Sequence, residues 1–236
     1  MTQALAPASA PQKTPVLFIW TVALSSLAAC VPLLWPALDL RAAALFAVPG
    51  APLYGLDWWW LQPINDYIPS VFRYFLLAAA VAWVIALRLP RWASWRFALA
   101  FFVIAGVLVP GAVVNWGFKD NWQRARPYQV QNFGGTQQFT RAAVMTDQCD
   151  ANCSFVSGHV SCGIFLASLA LVHRRRQKLW TVLGVSSGLL IGFARMSDVA
   201  HWLSDVLWAY PITLVSSWLV WKAMLWFANR PARTSA

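Results

Sequence analysis

FALAFFVIAGVLVPGAVVNW, residues 97–116, runs for twenty residues without a charged side chain, with Arg96 just before it and Lys119 shortly after. At about 1.5 Å per residue such a helix is about 30 Å long, the thickness of the hydrocarbon layer of a bilayer. The pattern recurs. The chain of 236 residues is 59% hydrophobic and 11% charged, outside the range of water-soluble domains. Six stretches read as spans: 15–35, 71–87, 97–116, 158–173, 179–194 and 202–227. Lipid cannot hydrogen-bond a bare backbone, so the spans must be helices. The expected fold is all-α, a polytopic six-transmembrane-helix bundle with interfacial segments on the outer side. Residues 158–173 and 179–194 are short and should be tilted or sheltered by neighbours. No internal repeat or second domain is visible, so 1–236 reads as one domain, with residues 1–14 a disordered cytoplasmic tail.

Charge orients the bundle. With the amino terminus inside, Lys13, Arg88, Arg91, Arg96, Arg174, Arg175, Arg176, Lys178, Arg230 and Arg233 fall on the cytoplasmic side, as the positive-inside rule requires. The chain has no glutamate, and all eight aspartates, from Asp39 to Asp205, fall on the opposite side. The net charge of +10 is thus accounted for by orientation and contact with anionic membrane lipids, and nucleic acid is not an expected partner. Arg41, Arg73, Lys119, Arg124, Arg126, Arg141 and Arg195 remain at the outer face, against that trend, and Lys222 lies in the last span.

Between the first two spans, DWWWLQPINDYIPS (57–70) has the mixture of an aromatic interfacial belt. HRRRQK (173–178) reads as a cytoplasmic turn in which His173 is solvated. LAAC, residues 27–30, resembles a lipoprotein cleavage box, but the apolar run continues through VPLLW, which favours packing for Cys30. The longest polar stretch, 117–156, reads as an outer loop. It holds CDANC, where a local disulfide between Cys149 and Cys153 would brace the loop in an oxidising compartment. A zinc site from this pair and His159 lacks a fourth ligand. Cys162 reads as packing.

Three motifs collect the unusual polar residues of that face: KDNWQRARP with Lys119 and Arg126, FVSGH with Ser157, Gly158 and His159, and ARMSDVAHWLSD with Arg195, His201 and Asp205. Each adjoins the end of a span on the same side, so the bundle can bring them together. Three clustered cations repel by about 4 kcal/mol per pair at 4 Å and an effective dielectric constant of 20. Such a cluster calls for an anion, and phosphate fits arginine forks, a lysine and the backbone N–H groups of a Ser157–Gly158 turn. His201 and Asp205 are four apart, on one helix face. The carboxylate can accept from one ring nitrogen and leave the other a nucleophile toward phosphorus. His159 is the candidate acid and base for the departing oxygen and the incoming water. The scheme requires neither metal nor cofactor. Singly, each residue also has a plain structural use as anchor, cap or buried partner.

The series KxxxxxxRP, SGH and RxxxxxHxxxD, in this order and spacing, resembles the three signatures of the type 2 phosphatidic acid phosphatase family over about 119–205. The resemblance implies Lys119, Arg126, Ser157, Gly158 and Arg195 as phosphate binders, His159 as general acid, His201 as nucleophile and Asp205 as its partner. Val156 stands in place of the family's usual proline before SGH, and Ala194 in place of the usual serine before the arginine. Neither change removes a charged or proton-transferring group. RPYQVQNFGG followed by CDANCSFVSGH is similar to a bacterial branch that includes lipid A 1-phosphatases. The resemblance therefore implies a lipid phosphatase in a bacterial inner membrane with its site facing the periplasm, a lipid phosphate or diphosphate as substrate (lipid A 1-phosphate or undecaprenyl diphosphate foremost), and a phosphohistidine intermediate. It leaves open transfer to an acceptor lipid in place of water. A non-enzymatic anion transporter is the alternative from another class, weakened because transport relays lie near the bilayer midplane.

Overall fold

The computed structural model describes residues 13–47 and 58–230. The amino-terminal tail up to residue 12, Asp57 and Arg233 lie outside the described residues. The chain forms α1 (Val16–Leu34), α2 (Ala37–Ala44), α3 (Leu61–Arg88), α4 (Arg96–Gly106), a single turn α5 (Asp120–Trp122), α6 (Gly158–Ser168), α7 (Gln177–Ser197) and α8 (Leu203–Ala228). Between α4 and α5 the backbone widens into a π-helix, Val107–Lys119, around Pro110. Proline lacks the N–H that an ordinary turn needs, and here the Asn115 side-chain amide donates to the Pro110 carbonyl at 2.8 Å.

Among the described residues, five segments are long and apolar enough to cross a membrane: Val16–Leu34, Leu61–Arg88, Pro90–Lys119, Arg174–Ser197 and Leu203–Ala228. The sixth expected span is the shorter apolar helix Gly158–Leu171. Its neighbours enclose it: Val160, Ile164, Phe165, Ala170 and Leu171 are fully buried. The outer helices show the reverse pattern, with Trp20, Leu24, Leu27, Tyr74, Phe75 and Leu77 more than half exposed. Apolar side chains on the outside of a packed bundle suit contact with acyl chains.

With no hydrophobic drive between helices in lipid, close backbone approach has to bring them together. The helix α7 carries Gly184, Gly188 and Gly192 at four-residue spacing, a stripe not singled out in the sequence. A Cβ on Gly188 would stand 2.6 Å from the Tyr210 hydroxyl of α8, and one on Gly184 would collide with the Ala167 backbone of α6. Ser161 and Thr213 add a hydroxyl pair at 2.8 Å between α6 and α8.

Several boundaries differ from those expected. The helix α3 starts ten residues before position 71, taking residues 61–70 of the expected belt into a helix that contains Pro69, with Trp58, Trp59 and Trp60 just before it. The third span continues to Lys119, past the expected loop boundary at 117. His173 is half-buried and accepts a hydrogen bond from Trp180 Nε1 at 3.0 Å; the Trp180 ring reaches back over the turn from α7. Cys30 lies within the continuous helix α1, and Cys162 is a free thiol on α6. Cys149 and Cys153 are joined by a disulfide.

The connections divide by end. One end carries the turn 89–95, with Arg91 in it and Arg88 and Arg96 beside it, and the arginine-rich turn 173–176. The other carries α2, the start of α3, the loop 123–157, and the turn between α7 and α8.

Candidate active site

All eight residues singled out in the three motifs lie at this second end. The π-helix ends at Lys119, α6 begins at Gly158, α7 ends just beyond Arg195, and α8 opens with Asp205 in its first turn. Lys119, Arg126, Ser157, Arg195, His201 and Asp205 are all buried.

The loop positions the first pair of cations. Arg126 precedes a 3-10 turn begun by Pro127, and its backbone N–H donates to Gln129 Oε1 at 2.8 Å. Its guanidinium donates through Nε and Nη2 to the Asn152 carbonyl at 3.0 and 2.7 Å, and through Nη1 to the Ala200 carbonyl at 3.2 Å. Neutral oxygens thus aim Arg126 without cancelling its charge. The Arg195 Nη1 atom pairs with Asp198 Oδ2 at 3.1 Å. The turn from Val199, at φ 50°, folds back so that the Ala200 and His201 N–H groups both donate to the Arg195 carbonyl, at 3.1 and 3.2 Å.

The second motif is an extended Ser157 leading into α6. Its N–H donates to the Asp205 carbonyl at 3.3 Å. A Cβ on the next residue, Gly158, would stand 2.7 Å from Asn115 Oδ1, so any larger residue would displace the Asn115 side chain. The His159 ring donates through Nε2 to the Asn65 carbonyl of α3 at 2.9 Å, which leaves Nδ1 for proton exchange.

The Asp205 carboxylate has more partners than expected. Oδ1 accepts from Arg124 Nη1 at 2.7 Å; Oδ2 accepts from the Trp202 N–H at 2.9 Å and, in a short contact, from Ser154 Oγ. His201 Nδ1 lies 3.5 Å from Oδ2, close enough for charge stabilisation but outside hydrogen-bonding geometry. The expected ring-to-carboxylate hydrogen bond is therefore not made here, since Oδ2 is already engaged by two other donors. Arg124 itself is fully buried and also pairs with Asp39 Oδ2 at 2.8 Å. Asp39 in turn accepts from the Ser204 N–H and hydroxyl at 2.8 and 2.6 Å.

Sequence reasoning missed Asp39, Arg124, Asn152 and Ser154. Arg124 was visible within KDNWQRARP as a third cation of the motif, whereas Asp39 carries no local signal, 85 residues from its partner.

Among the described residues, four buried atoms of the eight singled-out residues have no hydrogen-bond partner: Ser157 Oγ, Arg195 Nε and both ring nitrogens of His201. Leaving a buried donor unsatisfied costs about 1–3 kcal/mol, so the arrangement suits an oxyanion that accepts from Ser157 and Arg195 beside a free imidazole nitrogen.

Burial holds the His201 ring well below the ordinary histidine range, and the charges of Arg126, Arg195 and Lys119 act in the same direction. Its protonation is linked to stability. Below pH 6.5 an unfolded chain protonates this ring while the native ring stays neutral, so native stability falls as pH drops through that region. Nitrogen-15 spectra of selectively labelled protein in detergent should show His201 still neutral at pH 6; an imidazolium signature there would contradict the geometry.

A helical membrane bundle with three cation- and histidine-bearing motifs gathered at one end defines a class of protein. The chain belongs to the PAP2 superfamily, whose family model matches residues 97–228, from the start of α4 to the end of α8. This bears out the resemblance seen in the three motifs. Among curated proteins the chain is similar to the lipid A 4'-phosphatase of Francisella tularensis subsp. novicida (strain U112), 38% identical over 133 residues, covering 56% of this chain and 60% of that protein. It is also similar to the lipid A 4'-phosphatases of Rhizobium leguminosarum, 34% identical over 126 residues and covering 52% of each chain, and of Rhizobium etli (strain ATCC 51251 / DSM 11541 / JCM 21823 / NBRC 15573 / CFN 42), 36% identical over 123 residues, 51% of this chain and 46% of that one. The matches span about half the length of these relatives. No solved structure matches the chain.

Proposed function

We propose that this chain is a metal-independent phosphatase of membrane lipids, that its substrate is a phosphate ester of lipid A, and that His201 carries the phosphoryl group between substrate and water. The observation that carries the reading is the set of buried donors without partners among the described residues, Ser157 Oγ and Arg195 Nε, together with an imidazole whose two nitrogens make no hydrogen bond to those residues. The names of the relatives favour lipid A, and among its two phosphates the 4' position over the 1 position suggested by the motifs. The cation-rich turns at the opposite end and the disulfide support a site at the periplasmic face of the inner membrane.

In this reading Lys119, Arg126 and Arg195 hold the phosphate, with Ser157 and the backbone N–H groups at the start of α6. Nδ1 of His201 faces Asp205, so Nε2 attacks phosphorus. The phosphorus–oxygen bond to the lipid breaks, and the lipid oxygen leaves with a proton from His159. Asp205 stabilises the positive charge of the phosphorylated ring. His159 then takes a proton from water, which attacks phosphorus, releases orthophosphate and restores neutral His201.

The test is to incubate purified protein with bisphosphorylated lipid A, undecaprenyl diphosphate and phosphatidylglycerophosphate, with and without a chelator. The expected product is lipid A lacking one phosphate, its position read by mass-spectrometric fragmentation, with rates unchanged by the chelator. Activity restricted to another lipid, or restored only by an added divalent cation, would overturn the reading.

A further inference from the structure

The CDANC stretch closes on itself through the Cys149–Cys153 disulfide. Within the ring, Asn152 adopts the left-handed conformation, φ 50°, which asparagine tolerates better than most residues. That geometry turns both of its oxygens toward the cations. The carbonyl accepts from Arg126 Nε and Nη2 at 3.0 and 2.7 Å. The side-chain Oδ1 accepts from Arg126 Nη2 at 3.0 Å and from Lys119 Nζ at 3.0 Å. One amide oxygen therefore bridges the lysine and the arginine of the first motif as a phosphate oxygen would.

We propose that the disulfide ring is a working part of the anion site, with Asn152 as the positioning residue that aims Lys119 and Arg126 at one oxyanion. The choice of a neutral acceptor matters. A carboxylate at this place would pair with the cations and compete with the ligand, whereas an amide oxygen orients Arg126 and leaves its charge for that ligand. Asn152 takes three of the five guanidinium N–H groups of Arg126 and Ala200 a fourth, which leaves one Nη1 hydrogen for an incoming oxygen. The ring is also joined directly to the residues that hold the histidine side of the site. Cys153 is followed by Ser154, whose N–H donates to the Arg124 carbonyl at 2.9 Å and whose hydroxyl donates to Asp205. Closing the ring restricts the segment that links the first motif to the second.

The inference rests on the phosphate-binding reading of the site but not on turnover, so its test measures binding. Thermal stabilisation of the full chain in detergent by orthophosphate and by orthovanadate gives the affinity of each. Asn152→Asp keeps the shape and the left-handed backbone and adds one charge between the two cations; its affinity for both anions should fall at least about tenfold. The double variant Cys149→Ser/Cys153→Ser should lose about threefold to tenfold, and where a lipid substrate is turned over, KM should rise more than kcat falls. Asn152→Asp binding both anions as tightly as the wild-type chain would overturn the proposal, and it does so even if the double serine variant fails to fold. A wild-type chain that binds orthophosphate yet dephosphorylates no lipid would defeat the proposed function and leave this inference standing.

Discussion

Replacing His201 with alanine is expected to reduce lipid dephosphorylation by about 10⁴-fold or more, the scale seen when a covalent nucleophile is removed. The ring is buried and, among the described residues, neither of its nitrogens has a hydrogen-bond partner, which leaves Nε2 available for attack on phosphorus. The diagnostic measurement is rapid-quench labelling with a radioactive lipid phosphate. Wild-type protein should carry acid-labile, base-stable label on histidine within the first turnover, and His201→Ala should carry none. His159→Ala should behave differently: lacking the proton donor and water activator, it should accumulate label slowly and release it more slowly still. Label that persists in His201→Ala would move the nucleophile elsewhere and undo the assignment of roles.

The second large effect concerns a residue without any direct part in the chemistry. Arg124→Met is expected to destabilise the protein by about 3–5 kcal/mol, because it leaves two buried carboxylates without their common cation. Asp39, Arg124 and Asp205 are all fully buried, with contacts of 2.8 and 2.7 Å. Burial already pushes the Asp39 carboxyl above its ordinary range, and Arg124 is the first influence opposing it. The guanidinium also lies over the Trp202 ring at 5.3 Å and the Phe139 ring at 5.8 Å, so methionine restores bulk without restoring charge. Thermal unfolding in detergent measures the loss. Adding Asp39→Asn to Arg124→Met should recover part of it, by removing one of the two stranded charges. An unchanged unfolding midpoint for Arg124→Met would show that the triad contributes no net stability.

What could be read from the sequence follows from quantities that neighbours along the chain decide. Twenty uncharged, mostly apolar residues in a row define a span wherever they sit, as 97–116 shows, because the backbone's hydrogen bonds are met within the segment itself. Likewise the order and spacing of the three motifs beside span ends can be read along the chain, and all eight motif residues fall at one end of the bundle. The helix face expected for His201 and Asp205 is not formed, because α8 begins at Leu203 and His201 stands in the turn before it.

What tertiary structure alone decided is how those charges are apportioned. The KxxxxxxRP spacing marks Arg126, but nothing in KDNWQRARP shows that Arg124 is buried between two carboxylates 85 and 81 residues away while Arg126 is aimed by neutral oxygens of Asn152 and Ala200. A cation's sign is written in its codon, but its role depends on which oxygen, carboxylate or carbonyl, lies about 3 Å from it, and that distance is set by helices packing across the bundle. The same holds for the α7 glycines, whose purpose appears only when α6 and α8 press against them, and for His201, whose carboxylate partner is named by spacing but shared out by the fold.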